Sequence, residues 1–306
     1  MIKDVPNRED FYNVGAALLN QAWQDLVGLQ LAVEEASDWA DASDLEEYWR
    51  SATTKLATTL SIAHQAAEFF LKGRIVEVSP FLLIANSPKD WPKEDGEGNT
   101  SFSKFRTVDA QDLPRLHDKV AAEKMQPEFS ILVENLRTRR NAIMHTVALD
   151  LEVQVAELVK WILEIHRNLF GGEWVQFRRN ALDGAGTTHL YSNDWVDPQL
   201  IREFLAVKGM LSAAELEQYY KIPAKPRHYL CPYCTWQTMA DWDEDVFSGF
   251  LEPNAADSQI VHCALCGDDY HVVRIECEVG GCPGNVISTE WEKCLTCGAD
   301  HSHSSN

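Results

Sequence analysis

The chain has 306 residues, 45% of them apolar, and carries 47 Asp and Glu against 27 Lys and Arg, a formal net charge of −20. That length suits roughly two or three soluble modules with cores of their own, and the acidic balance repels phosphate backbones, which argues against a protein that coats nucleic acid. The opening MIKDVPNRED lacks the apolar core of a signal peptide, and no run of about 18 apolar residues follows, so a cytoplasmic protein without a membrane segment is expected.

Apolar residues at helical spacing (Phe11, Val14, Leu18, Leu19, Ala22, Leu26, Leu29) predict a long amphipathic helix over 9–36. A second helix is expected over 43–77, opened by a capping box from Ser43 to Glu46 and stopped by Pro80. Its middle, LATTLSIAHQAAEFFLKG, is apolar almost all round and predicts the most buried helix of a bundle. Residues 85–107 are rich in Pro, Gly and charge and read as a long connection with a mobile tip. A short helix near 112–124 follows, then one opened by Pro127, then a last long helix over 151–170 closed by Gly171-Gly172. Residues 171–226 read as a mixed helical connector, with helical patterns near 198–208 and 213–220. The expected organisation is therefore a mainly α-helical bundle over 1–170, the connector, and a cysteine-rich module over 227–306.

All eight cysteines lie in that last module: Cys231 and Cys234, Cys263 and Cys266, Cys277 and Cys282, Cys294 and Cys297. Pairs separated by two residues form knuckles that present both thiolates to one tetrahedral ion, so two four-cysteine sites of zinc-ribbon type, holding two structural Zn2+, are expected. Sequential pairing is the simplest assignment; interleaved pairing, or replacement of a ligand by His262 or His271, stays open. A catalytic or thiol-redox centre is the alternative role, but catalytic zinc normally keeps an open coordination position. Residues 227–306 hold three Lys and Arg against thirteen acidic residues, so the module should repel RNA and dock a protein, or shield a basic surface, sooner than grip a nucleic acid.

One basic surface is evident. The stretch NLRTRRNAIMH over 135–145 holds three Arg and no acid. On a helix, Asn141 and His145 share a face, Arg137 lies one turn before Asn141, and Arg140 flanks it. An imidazole, a guanidinium and a side-chain amide together can move a proton and stabilise charge on phosphate oxygens. The plainer account is an exposed arginine-rich face with His145 packed at a helix end. On the second helix, His64, Glu68 and Lys72 recur every four residues. They are either a buried polar set that fixes helix packing, or groups that orient Arg137 or Arg140 and line a cleft. His301 and His303 are assigned no role.

Arg140-Asn141-Ala142-Ile143-Met144-His145 resembles the R-polar-x3-H signature of the HEPN superfamily, helical proteins that include metal-independent endoribonucleases. The helix AHQAAEFFLK over 63–72 is similar to a helix of bacterial members, some of which also end in cysteine-rich zinc modules. The resemblance covers about residues 10–170. It implies a homodimer whose active site forms where two such helices meet across a two-fold axis. It implies His145 as acid/base, Arg140 as stabiliser of the transition state and Asn141 as a positioning group, with Arg137, Arg139, His64, Glu68 and Lys72 binding substrate or supporting the site. RNA, with tRNA as one candidate, would be cut through its own 2′-OH without a catalytic metal, by an enzyme of toxin or antiphage-defence type restrained by an antitoxin or regulatory protein. The rival expectations are a non-catalytic scaffold or nucleotide-sensing module that recruits a protein through its zinc end, and a zinc-dependent nucleic-acid-binding regulator.

Overall fold

The computed structural model describes residues 1–145, 153–186, 190, 192–238 and 244–301, with the side chains of Met144 and His145 outside the described set. The described chain is mainly helical and ends in a small antiparallel sheet. It divides after Gly172 into two compact units. Residues 173–226, expected to be a connector, belong to the same unit as the cysteine-rich end.

The first unit is built on two long helices, α1 (Arg8–Ala36) and α2 (Ala42–Val78). Asn7 and Asp10 close a reciprocal cap on α1. The cap of α2 is Asp41, not Ser43: its carboxylate accepts from the amides of Ser43 and Asp44, and the Asp44 side chain accepts from the Asp41 amide. An ionised carboxylate at Asp41 is the stronger acceptor for the positive end of the helix, which moves the start by two residues.

The two helices approach closely because each gives a glycine to the other's aromatic ring. A Cβ on Gly15 of α1 would lie 2.7 Å from the Phe70 ring of α2, and one on Gly73 of α2 would lie 2.6 Å from the Tyr12 ring of α1. Tyr12 and Phe70 meet edge to face at 5.3 Å, and Phe170 packs on both. Below them Leu19, Trp23 and Leu26 interlock with Leu60, Ala63 and Ala67, all fully buried. The middle of α2 is thus the centre of the unit, as its composition predicts.

Helices α3 (Leu113–Val120), α4 (Pro127–His145) and α5 (Val155–Ile165) pack against α2. The expected last helix starts at Val155 with Gln154 as its extended cap residue, and residues 151–152 lie outside the described set. At its other end α5 widens into a π-turn over His166–Phe170 before Gly171, whose φ of 86° stops it. That turn is tied to the two long helices: Tyr12 Oη donates to the Leu169 carbonyl at 2.9 Å and Arg74 Nη2 to the Asn168 carbonyl at 2.5 Å.

The 85–107 connection is organised along its length. Phe102 and Phe105 are buried, and Trp91 stands edge-on to Phe105. At the tip the Asp95 carboxylate accepts from the amides of Glu97 and Asn99, and strand β1 (Ile2–Lys3) pairs in parallel with β2 (Thr100–Ser101). The tip expected to be mobile from composition forms a hydrogen-bonded turn beside the start of the chain.

The second unit contains the helices α6 (Trp174–Asp183), α7 (Val196–Lys208) and α8 (Ala213–Tyr220). A buried ion pair joins the first two: Arg178 donates from Nε and Nη2 to the two carboxylate oxygens of Glu203 at 3.0 and 2.7 Å, and both side chains are excluded from solvent. The fork geometry is what makes such burial tolerable. A short helix α9 (Pro232–Thr238) packs on α7. Strands β3 (Gly249–Leu251), β4 (Ile260–Cys263), β5 (Asp269–Val273), β6 (Ile287–Ser288) and β7 (Lys293–Cys294) form one antiparallel sheet in sequence order.

Gly73→Val inserts a branched side chain where the Tyr12 ring already sits. It should lower the stability of the first unit by about 1–3 kcal/mol, read as the shift of the urea unfolding midpoint at constant slope.

Candidate functional site

The polar residues of α2 and the basic stretch of α4 come together. Buried His64 stands with Nδ1 3.1 Å from Oε1 of Glu68, an ion-pair distance without hydrogen-bond geometry. Arg140 and Arg137 are close enough to disfavour a proton on the imidazole. Burial first, and then these two cations, push the His64 pKa down to about 4, so it is neutral at physiological pH. Burial raises the Glu68 carboxyl, and Lys72 and Arg140 oppose that rise. Lys72 itself lies over the Phe69 ring at 5.7 Å. The stripe on α2 therefore pairs a buried imidazole with a half-buried carboxylate close to the arginines of α4.

The three arginines have different fates. Arg137 is clamped by Glu134, one turn earlier on the same helix, at 2.8 and 2.6 Å; the two hydrogen bonds hold the Glu134 carboxyl below its ordinary range. Arg139 makes the same kind of fork to Glu157 of α5 at 2.8 and 3.0 Å, and its guanidinium lies over the Trp161 ring at 4.9 Å. Its role is to tie α4 to α5. Arg140 is different: Nη1 donates to Oδ1 of Asn141 at 3.1 Å, and Nε is buried with no hydrogen-bond partner. The expected cationic stripe is thus largely neutralised by carboxylates, and Arg140 keeps a buried donor unspent beside Asn141. His145 closes α4, and its side chain lies outside the described residues.

Glu134 and Glu157 escaped the sequence reading. Glu134 stands at i−3 from Arg137, a spacing that announces a helix pair; Glu157 is 18 residues from Arg139 and only the fold brings it there.

The cysteines form two clusters with the sequential grouping. Cys231, Cys234, Cys263 and Cys266 make one, and Cys277, Cys282, Cys294 and Cys297 the other, with the sulfurs of each within 4.8 Å of one another. Within the first, Cys231–Cys266 and Cys234–Cys263 are each 3.8 Å apart; in the second, Cys277–Cys297 and Cys282–Cys294 are 3.8 and 3.9 Å apart. Disulfides need about 2.05 Å, whereas four metal–sulfur bonds of about 2.3 Å at tetrahedral angles place the sulfurs about 3.8 Å apart. Backbone amides point at the sulfurs as in a knuckle: those of Cys234 and Leu265 at Cys231 and Cys263, those of Gly284 and Thr296 at Cys282 and Cys294, all at 3.4 Å. Both clusters fit a metal ion with four thiolate ligands.

No family model, curated protein or solved structure matches this chain.

Among the described residues no histidine replaces a cysteine. His262 Nδ1 faces the Asp269 carboxylate at 2.8 Å, and His271 is exposed on β5. His301, assigned no role from sequence, is buried, with Nε2 3.2 Å from Cys277 Sγ; it braces the rim of the second cluster. The clusters differ in access. Cys231, Cys234 and Cys263 are buried, while Cys297 is exposed and Cys277 and Cys282 are partly so.

Two outcomes follow. Burial holds the His64 and His166 pKa values at about 4, below the ordinary imidazole value, so the unfolded chain binds protons that the folded chain excludes. Their stabilisation is complete above about pH 6.5 and is lost as pH falls toward 4, on the order of 3 kcal/mol for each imidazole. The raised Glu68 pKa acts in the opposite sense and offsets part of this. His64→Gln should accordingly flatten the fall in urea midpoint between neutral pH and about pH 4.5. For the cysteines, a chelator should strip the exposed second cluster before the buried first one, giving two phases of metal release in a colorimetric assay; Cys263→Ser should abolish the slow phase alone.

Proposed function

We propose that this protein is a metal-independent endoribonuclease of HEPN type, acting as a dimer, with Arg140, Asn141 and His145 as its catalytic group. The observation that carries the reading is Arg140: a guanidinium whose Nε has no partner, hydrogen-bonded to Asn141 and backed by the His64–Glu68 pair. Nε itself is shielded, but a half-buried guanidinium held in place through Asn141 can turn its outer face to charge that develops on a phosphorus oxygen. Asn141 orients that guanidinium through its Oδ1. Glu68 supplies negative charge near Arg140 and keeps the guanidinium from being driven away by Arg137. His145, four residues on from Asn141, is the group to move a proton between the RNA 2′-OH and the leaving 5′ oxygen. Attack by the 2′-OH leaves a 2′,3′-cyclic phosphate and a 5′-OH, and DNA, lacking that hydroxyl, is spared. Arg139 acts at a distance, by fixing α4 on α5.

The ions in the two cysteine clusters are inferred to be Zn2+. Four thiolates close each shell, so the ions hold the fold and leave the reaction to the helical unit. The setting is of toxin or antiphage-defence type, in the cytoplasm, with an antitoxin or regulatory partner as the restraint.

A second reading is a non-catalytic scaffold or nucleotide-sensing module, and one observation favours it: Arg137 and Arg139 are spent on Glu134 and Glu157, so the surface offers RNA few free cations. Cleavage of labelled tRNA and single-stranded RNA during brief chelation separates the two. The nuclease should leave cyclic phosphate ends and lose about 100-fold or more in rate in both Arg140→Ala and His145→Ala, each shown to be folded and of unchanged oligomeric state. Cleavage unaffected by either change, or none by the parent protein, would favour the scaffold.

A further inference from the structure

The second unit contains a cleft that neither the cysteine clusters nor the helical site uses. It has a volume of about 730 Å³ and lies between the end of α6, the start of α7 and α9, with Asp183, Asp194, Asp197, Arg179, Tyr233 and Trp236 on its walls. Among the described residues its one lysine or arginine is committed. Arg179 pairs with Asp197 and donates to the Leu265 carbonyl at 2.9 Å, and Tyr233 Oη donates to the other Asp197 oxygen at 2.8 Å. That arrangement is the neutral floor. On the rim, Asp183 and Asp194 are exposed and have no cationic partner among the described residues; their contacts are with Asn193 at 3.5 Å and Ser192 at 2.9 Å.

Trp236 stands beside these carboxylates with 54% of its surface exposed. Its ring lies 6.2 Å from that of Tyr233 and 6.5 Å from that of Trp291. Beyond it a second groove of about 330 Å³ continues between Trp236 and Trp291, with Asp245, Lys293 and Cys297 at its sides; Lys293 is itself paired with Asp300 at 2.7 Å. An indole face next to unpaired carboxylates attracts a cation through both the ring quadrupole and charge. The surroundings reinforce this, because residues 227–306 hold thirteen acids against three bases, and each metal-filled four-thiolate cluster adds about −2. Phosphate-bearing ligands are repelled by that field. Two grooves joined at one tryptophan exceed what a single small amine fills and suit an extended chain.

We propose that this Trp236-centred cleft is a docking site for a lysine- or arginine-bearing extended segment of a protein partner. A basic side chain lies on the Trp236 face with its head between Asp183 and Asp194, and the following residues run along the groove toward Trp291. The site is independent of the nuclease reading, since it lies wholly in the second unit.

The test uses the full, metal-loaded chain and a short fluorescent peptide alternating arginine and glycine, followed by anisotropy at physiological ionic strength. Binding is expected, weakened roughly tenfold by Trp236→Ala and by the double change Asp183→Asn with Asp194→Asn. It should be retained by Trp236→Phe and by Glu128→Gln, which removes an exposed acid of α4. Metal content and circular dichroism report that each variant is folded. The proposal is overturned if the peptide does not bind, if Glu128→Gln weakens it as much as the rim change, or if single-stranded RNA displaces it in a Trp236-dependent way.

Discussion

The first unit depends on a close crossing of two helices. Gly15 and Gly73 leave room for Phe70 and Tyr12, and the rings fill that room from both sides. Without a Cβ at either position the long helices approach closely enough to bury Trp23, Leu60 and Ala63 completely, and packing at that density fixes the rotation of α2 about its own axis. That rotation decides which side of α2 meets α4. His64, Glu68 and Lys72 lie on one stripe of α2, so a helix turned by one residue would carry them away from Arg140.

Burial then does chemical work on that stripe. Excluding water makes the neutral imidazole of His64 and a raised carboxyl at Glu68 the comfortable states, and the nearby arginines strengthen the first effect while weakening the second. The guanidiniums experience the same competition. Arg137 and Arg139 find carboxylates in fork geometry, which fixes them as parts of the scaffold, whereas Arg140 donates to the neutral amide of Asn141. Glu68 lends Arg140 negative charge from nearby, but among the described residues no carboxylate holds its guanidinium in a hydrogen bond. In the second unit the logic is reversed: Arg178 is wholly buried against Glu203, Arg179 is bound to Asp197, and the carboxylates on the cleft rim remain unmatched. The surplus negative charge there is what a basic partner would complete.

Much of this was legible in the sequence because it is local. Helical spacing and proline marked the long helices and the start of α4, while the two-residue spacing of three cysteine pairs and the four-residue gap between Cys277 and Cys282 already divided eight ligands into knuckles. Glycine followed by glycine marked the end of the first unit, since Gly171 adopts a backbone that other residues resist. Where a local rule had two candidates it misled: Ser43 looked like a cap, but Asp41, two positions earlier, offers the charged acceptor. WVQFRRNALD, whose glycine-rich sequel suggested a connector, is helix α6, held there by the burial of Arg178, which propensity does not register.

What only the tertiary structure decided are the partners across sequence. Glu157 takes Arg139 from 18 residues away, and His301 reaches Cys277 across 24. The Trp236 cleft is assembled from three helices. A chain's own spacing specifies which residues share a face within about one turn, because backbone geometry repeats over that distance. It does not specify which carboxylate arrives from another element, and that arrival decides whether an arginine is a strut or a free charge. By itself the sequence determined the long helices of the first unit, the cysteine knuckles and the acidic character of the second unit; the packing of one element on another determined which polar groups were consumed and which were left to act.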